Sequence, residues 1–355
     1  MWFDLFKKRN IYKIFIISIL ALMLLFAAGC SNAAKEQTSE TGSKFLMDTL
    51  VQMKVTGKNA EKVLDISFDR IEELENLMSK TLKKSEIYKI NHSSEPVEVS
   101  DDTIKVLNKS IHYAELTSGR FDPSIGPLVD LWGIGTENAE VPEEEEIVEA
   151  KNLVNYKNIE IDNNRVFLKQ EDMQIDLGAI AKGYAADEVK RIAEKNSIES
   201  AFVNLGGNVL VIGHKADGSK WRIGIQDPRQ NRGNIMAVIN AADKTIVTSG
   251  NYERYFEEDG KIYHHILDPD TGYPADSGLL SVSIISENSF DADALSTSIF
   301  ILGLEKGMEF IKDQKNIEAL FITNDLEVYL SPGLRGKVEI TGEDFKLIEG
   351  ELSGN

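Results

Sequence analysis

Apolar and polar residues alternate along 45–55, the period of a strand with one buried face. Across 60–78 the period changes. Val63, Leu64, Phe68, Ile71, Leu74, Leu77 and Met78 fall at helical spacing and make one apolar stripe, with acids and lysines opposite. Ser100 stands as an N-cap ahead of a second helical stretch through Ile104, Leu107, Ile111 and Ala114, and Gly119 is placed to end it. Pro142 and the glutamates at 143–146 suit the first turn of another helix, where negative charge meets the helix dipole favourably. A solvated acidic face accounts for this run, and no further role is read into it.

From residue 159 the pattern is mixed. It predicts strands at 159–161, 166–169, 201–204, 221–225, 236–239, 281–286, 319–322 and 327–330. It predicts helices from about 183 to 196, with Ala185, Val189, Ile192 and Ala193 inward, and at 291–302. Strands and helices do not alternate regularly, which argues for an α+β fold with mainly antiparallel sheet. No internal repeat of solenoid length is present.

The first residues follow a different rule. Lys7, Lys8, Arg9 and Lys13 precede an apolar run at 14–28 broken only by Ser18, and Gly29 and Cys30 follow it. This is the layout of a secretory signal peptide, its apolar run shorter than the roughly 18 residues of a committed transmembrane helix. Ala27-Ala28-Gly29-Cys30 resembles a bacterial lipobox, with Ala27 where leucine is commoner. Residues 1–29 are expected to be a lipoprotein signal peptide, and Cys30 to carry the lipid that holds the protein on the extracytoplasmic face of the cell membrane. An uncleaved anchor and plain secretion are the alternatives. Residues 30–43 read as a flexible tether, 44–345 as a single large domain of two intimately packed halves, and 346–355 as a C-terminal tail.

Cys30 is the only cysteine, so neither an intrachain disulfide nor a cysteine metal cluster is available, and stability must come from the core. At 42% apolar the chain can supply one. The formal net charge is −19, and loss of the basic leader would make it more negative. Such a body argues against nucleic acid and against electrostatic adhesion to anionic lipid.

Several short segments could carry chemistry. Asp293 and Thr297 lie one helical turn apart and would direct oxygens at one spot. A hard cation such as Mg²⁺ takes one or two carboxylates, a hydroxyl or carbonyl, waters and substrate phosphates. Plain N-capping by Asp291 or Asp293 explains the same residues. Asp176-Leu177-Gly178-Ala179-Ile180-Ala181-Lys182-Gly183 joins a strand end to a helix start, where backbone N–H groups and a lysine can meet an anion. It lacks the Walker spacing, and a tight turn with a solvated lysine accounts for it too.

His264 and His265 end a predicted strand before the turn at 268–272, where a histidine can serve as general base. Adjacent strand residues face opposite sides, so the pair is not a zinc site. The stretch 119–135, with Arg120, Phe121, Asp122 and Trp132 among Gly and Pro, could hold a flat heteroaromatic ring or be a packed loop. The segments 204–208 and 248–250 are further sharp turns.

Taken in order, the blocks at 119–135, 176–183, 204–207, 248–250, 265–274 and 292–297 resemble the ApbE-type FAD:protein FMN transferases, over about 45–340 of the chain. The resemblance implies an α+β catalytic domain, Mg²⁺ as cofactor and FAD as substrate. It implies that Asp293 and Thr297 bind Mg²⁺ through side-chain oxygens, with backbone oxygens of Ala179 and Ser296 completing the site. It draws the FAD pocket from Met47, Arg120, Phe121, Asp122, Asp176, Lys182 and the backbone near Leu267. It makes His265 the base and leaves His264 without a role.

The implied partner is an extracytoplasmic acceptor protein, a redox subunit or FMN-binding domain with a Ser/Thr-Gly-Ala-Thr type motif, whose hydroxyl receives FMN as AMP leaves. This chain contains no such motif and so resembles the donor enzyme. One departure stands out. The family commonly has Ser-Thr-Tyr where this chain has Ser79-Lys80-Thr81, and Thr81 cannot stack on a flavin nucleotide as tyrosine does. Two other readings use the same residues: an FAD pyrophosphatase giving FMN and AMP, and a flavin-binding lipoprotein without chemistry.

Overall fold

The computed structural model describes residues 38–231 and 233–349; the leader and Cys30 lie outside them. The described chain opens with a hairpin of β1 (Ser39–Leu46) and β2 (Thr49–Thr56). The alternation at 45–55 therefore spans a turn and not one strand. Met47 and Asp48 take φ of 51° and 56°, the left-handed pair of a tight two-residue hairpin. Leu46 and Thr49, three residues apart, pair across this turn, so the buried phase shifts from even-numbered positions in β1 to odd-numbered ones in β2. β1 also begins at Ser39, inside the stretch expected to be tether.

α1 (Ala60–Met78) follows as expected and buries Val63, Leu64, Phe68, Ile71, Leu74 and Met78. Next come α2 (Glu86–Asn91), β3 (Val97–Glu98) and α3 (Asp101–Leu116), the last capped by Ser100, which accepts the Thr103 N–H. The Gly- and Pro-rich stretch contains a short helix, α4 (Gly126–Trp132), opened by Pro127 and closed by left-handed Gly133. α5 (Glu144–Asn152) has the expected acidic first turn and a capping box between Glu143 and Glu146.

β4 (Ile159–Asp162) and β5 (Arg165–Leu168) join β3 in a small sheet of order β3-β5-β4. After α6 (Ala181–Lys195) come β6 (Ser200–Leu205), β7 (Asn208–Gly213), β8 (Trp221–Gln226), β9 (Ile235–Ala241) and β10 (Lys244–Gly250). The hairpin β11 (Tyr255–Glu258) and β12 (Lys261–His264) precedes β13 (Leu279–Ser286). The run expected to be helical at 291–302 is the first part of α7 (Ser289–Lys312), which breaks at Gly303, where φ is 79°. β14 (Glu318–Thr323), β15 (Glu327–Leu330), β16 (Val338–Ile340) and β17 (Lys346–Leu347) complete the chain, so β17 draws part of the expected tail into a sheet.

The main sheet has nine strands in the order β1-β2-β6-β7-β10-β13-β14-β15-β17. Every pair is antiparallel except β15 with β17. The expected α+β class with mainly antiparallel sheet is the class observed. Residues adjacent in sequence leave the sheet in opposite directions. Leu210, Val247, Ile284 and Phe321 enter the core under α1, α6 and α7, while Val211, Ile246, Ile285 and Ile322 enter a second core under β8 and β9. The sheet thus fixes α7, and with it Asp293, against the end of β10.

Candidate active site

α6 and α7 cross so closely at Gly183 that a Cβ there would lie 2.3 Å from Ser289 O and 2.6 Å from Asp293 Cβ. This approach lets the Gly183 N–H donate to Asp293 Oδ2 at 2.8 Å. Asp293 is only 4% exposed. Burial holds its carboxyl above the usual carboxylate range, opposed by the charge of Lys182 and by the Gly183 N–H. Its other oxygen receives no hydrogen bond from the described residues.

Hydroxyls gather beside it. Ser296 Oγ donates to Asp293 O at 2.9 Å and lies 2.8 Å from Ser249 Oγ, which lies 3.4 Å from Thr297 Oγ1. Ser249 arrives on β10 because alternate residues of that strand face α7: Thr245 Oγ1 donates to Ser289 Oγ at 3.1 Å on the same side. The resemblance brings Ser296 into the metal set by its backbone oxygen. In the structure that carbonyl lies within α7, where helical hydrogen bonds use it, and the hydroxyl is the group that joins the cluster.

One buried carboxylate with an open oxygen, flanked by the Thr297 and Ser249 hydroxyls, fits a hard divalent ion that keeps waters and accepts substrate phosphate. Ala179 lies in the turn just before α6, four residues ahead of Gly183. Among the described residues no group of three or more His, Cys, Asp and Glu could hold a metal.

Asp176 organises the turn before α6. Its Oδ1 accepts the Gly178 N–H at 2.7 Å, and its Oδ2 lies 3.4 Å from Lys80 Nζ, which also pairs with Asp130 at 2.5 Å. Lys182 Nζ folds back to Gly178 O at 2.6 Å. From there its charge is felt at both Asp293 and His265.

The two histidines part as expected. His264 is buried, with Nε2 3.1 Å from Ala275 O and its ring edge-on to Phe300. His265, just past β12, has Nδ1 at 3.3 Å from Arg254 O, and its main-chain N–H donates to the same carbonyl at 3.1 Å. A carbonyl only accepts, so the contact assigns the proton to Nδ1 and leaves Nε2 as a base. Enclosure of the ring, then the neighbouring Arg254, His264 and Lys182, pushes its pKa down to about 4. The residue keeps some solvent contact all the same. Arg254 reaches further: its Nη2 donates to Asp48 O at 3.3 Å, in the turn whose Met47 N–H donates to Glu75 Oε1 at 2.8 Å.

The remaining residues shape the walls from within. Arg120 pairs with Asp268 at 2.9 Å and Asp270 at 2.7 Å, tying the stretch at 119–135 to the turn after His265. Phe121 is buried in the main core. Asp122 accepts from Ser124 N at 2.8 Å and Tyr156 N at 3.1 Å, and burial raises its pKa. Trp132 is fully buried and donates Nε1 to Gly272 O at 2.8 Å; Leu267 packs in the same small cluster. Phe121 and Trp132, the aromatic residues of 119–135, therefore pack inward. Thr81 is exposed, its N–H bonded to Ser79 Oγ at 3.2 Å.

In the sequence Ser249 reads as part of a sharp turn, and no motif singles out Arg254. The alternation Thr245, Val247, Ser249 could have pointed to the first. Nothing local marks the second, because it acts through its carbonyl. A separate groove of about 660 Å³ lies among Lys105, Tyr184, Glu188, Arg191 and Phe290, away from these residues, and Arg191 pairs with Glu188 inside it at 2.9 Å.

A family model described as the ApbE family matches residues 47–321. The chain is 33% identical over 352 residues to an FAD:protein FMN transferase of Treponema pallidum, covering 93% of this chain and 97% of that protein. It is 35% identical to one of Klebsiella pneumoniae, covering 86% and 96%. Among solved structures, an ApbE protein of Thermotoga maritima is similar with a TM-score of 0.79 at 36% identity, over 84% of this chain and 99% of that one. The flavin transferase ApbE of Vibrio cholerae gives 0.76 at 30%, over 85% and 99%.

Proposed function

The chain belongs to the ApbE family and is a transferase, and from that premise we propose that it splits FAD and moves the FMN half onto a Ser or Thr hydroxyl of an extracytoplasmic acceptor protein. The product is a phosphoester, and AMP leaves. The observation that carries this reading is a buried carboxylate, held by the Gly183 N–H, beside the Ser249 and Thr297 hydroxyls at the start of α6, together with a histidine whose Nδ1 is engaged by a carbonyl.

Mg²⁺, held by Asp293 and Thr297 with Ser249 and the Ala179 carbonyl at hand, would offset the charge of the pyrophosphate. Lys182 adds a positive charge at the start of α6, a helix end that itself favours phosphate. His265 is kept neutral by enclosure and by Arg254, with Nδ1 engaged, so Nε2 takes the proton of the acceptor hydroxyl as its oxygen attacks the FMN phosphorus. The new O–P bond forms as the bond to AMP breaks. Positioning and charge supply most of the acceleration, as in other phosphoryl transfers.

The acceptor would carry a Ser/Thr-Gly-Ala-Thr type segment. The same proposal places the enzyme outside the cytoplasmic membrane, lipid-anchored at Cys30. No helix among the described residues is long and apolar enough to cross a membrane.

The test is mass spectrometry of a purified domain bearing that segment, after incubation with FAD, Mg²⁺ and this protein. A mass gain of one FMN, absent with Asp293→Ala, is the expected result. Release of FMN and AMP without a mass gain would make the protein a pyrophosphatase, and intact FAD would make it a carrier.

A further inference from the structure

Two hairpin ends border His265. One is the β1–β2 turn at Met47 and Asp48; the other is the open end of β11–β12, where Tyr255 pairs with His264. Arg254 ties them together, for its carbonyl holds His265 and its guanidinium reaches Asp48 O at 3.3 Å. At the first end Phe45 and Leu50 stand opposite each other in register, 72% and 47% exposed. They lie on the face of the hairpin opposite to buried Val51 and Met53. At the second, Tyr255 and Ile262 share one face of their hairpin and are 50% and 53% exposed.

We propose that these two hairpin ends are the docking surface for the acceptor protein, with Phe45 and Leu50 as the principal apolar anchors and Tyr255 and Ile262 beside them. The inference rests on the transfer reading above. A hydroxyl carried by a folded protein reaches Nε2 of His265 only if that protein rests on the ground around the histidine, and the two hairpin ends are that ground. An aligned apolar pair in water adds little to its own hairpin, whereas burial against a partner would remove both side chains from solvent. Arg254 makes the platform and the base a single unit, so docking and proton removal share one frame.

The experiment uses the full chain, purified in detergent, with Phe45→Ser and Leu50→Ser combined. Transfer is measured with FAD, Mg²⁺ and a folded extracytoplasmic domain carrying a Ser/Thr-Gly-Ala-Thr segment. KM for the domain is expected to rise about tenfold, as for the loss of an interface anchor, with kcat and KM for FAD unchanged. Phe45→Leu with Leu50→Met should restore it. An unchanged KM for the domain, or an equal loss in KM for FAD, overturns the docking surface while leaving the transfer reading in place. A dimer of the unaltered chain that the double variant loses, with KM unchanged, gives the patch to a second copy and overturns the proposal as well. No transfer by the unaltered chain overturns the function and this inference together.

Discussion

Strand β10 serves the two faces of the main sheet at once. Ile246 enters the layer beneath β8 and β9, among Val211, Ile223, Ile225, Met236 and Leu320. Thr245 beside it and Ser249 further along the strand turn the other way and bond Ser289 and Ser296 of α7. On that side the sheet and helices also enclose Asp293, a carboxyl that burial holds above its usual range. The first face is built for packing alone. The second gives up stability to keep polar groups where they can act, the pattern expected of a site that breaks the ordinary rules of a core. The comparison can be pressed from either side.

The largest effect is expected from Asp293→Ala. Removing the one buried carboxylate of the hydroxyl cluster should lower transfer by roughly 10³-fold, as loss of a preorganised charge-stabilising group does. Folding stability should hold or rise, since a buried acid has been taken away. Steady-state rates and thermal unfolding of the same sample check both parts. A variant that unfolds early would mean that Asp293 serves the fold first.

His265→Ala should lower kcat by about 10²-fold or more, the usual share of a positioned base, with FAD binding kept. Transfer at near-normal rate would remove His265 from the scheme. Ile223→Ala, on the dry face, should do the reverse: it should destabilise the fold by about 2–5 kcal/mol and leave kcat alone. Denaturant unfolding beside the transfer assay separates the two faces directly. Gly183→Ala should affect both quantities, because its Cβ would collide with Ser289 O and Asp293 Cβ. It should destabilise by about 1–3 kcal/mol and loosen the carboxylate, seen as a raised requirement for Mg²⁺.

The smallest effect is a titration. By NMR the His265 ring should titrate near pH 4 and not near 6.5, and Arg254→Ala should raise the midpoint only partway, since enclosure is the larger cause. The sign for stability follows. Between those two values the unfolded chain binds the proton and the folded one does not, so this residue's contribution is lost as pH falls from about 6.5 toward about 4. A midpoint unmoved by Arg254→Ala would mean that the guanidinium holds the hairpin tip and nothing else.

Much of this was legible along the chain. The stripe at 60–78 became α1 between the same residues, and Ser100 capped α3 as its position suggested. Asp293 and Thr297 were visible as a pair on one helix face, and the split between His264 and His265 followed from strand geometry. Periodicity and capping are local, and the sequence states them directly. What stayed hidden was non-local or silent in the pattern. β7 and β10 were not assigned, because glycine turns and the Thr-Ser-Gly end of β10 lack the apolar alternation of a half-buried strand. The hairpin at Met47 and Asp48 shows in the sequence only as a change in the phase of the alternation, because Leu46 and Thr49 pair across it.

The sequence by itself determined which residue types were available and on which helix face or strand side each would stand, since those follow from the backbone's own periods. Only the tertiary structure decided which of them meet. It put Gly183 against Asp293, Ser249 against Ser296 and Thr297, and the Arg254 carbonyl under His265. Those contacts depend on how two helices cross over one sheet and on which strands neighbour each other. Such distances are set by the packing of residues far apart in the chain, and no local pattern encodes them.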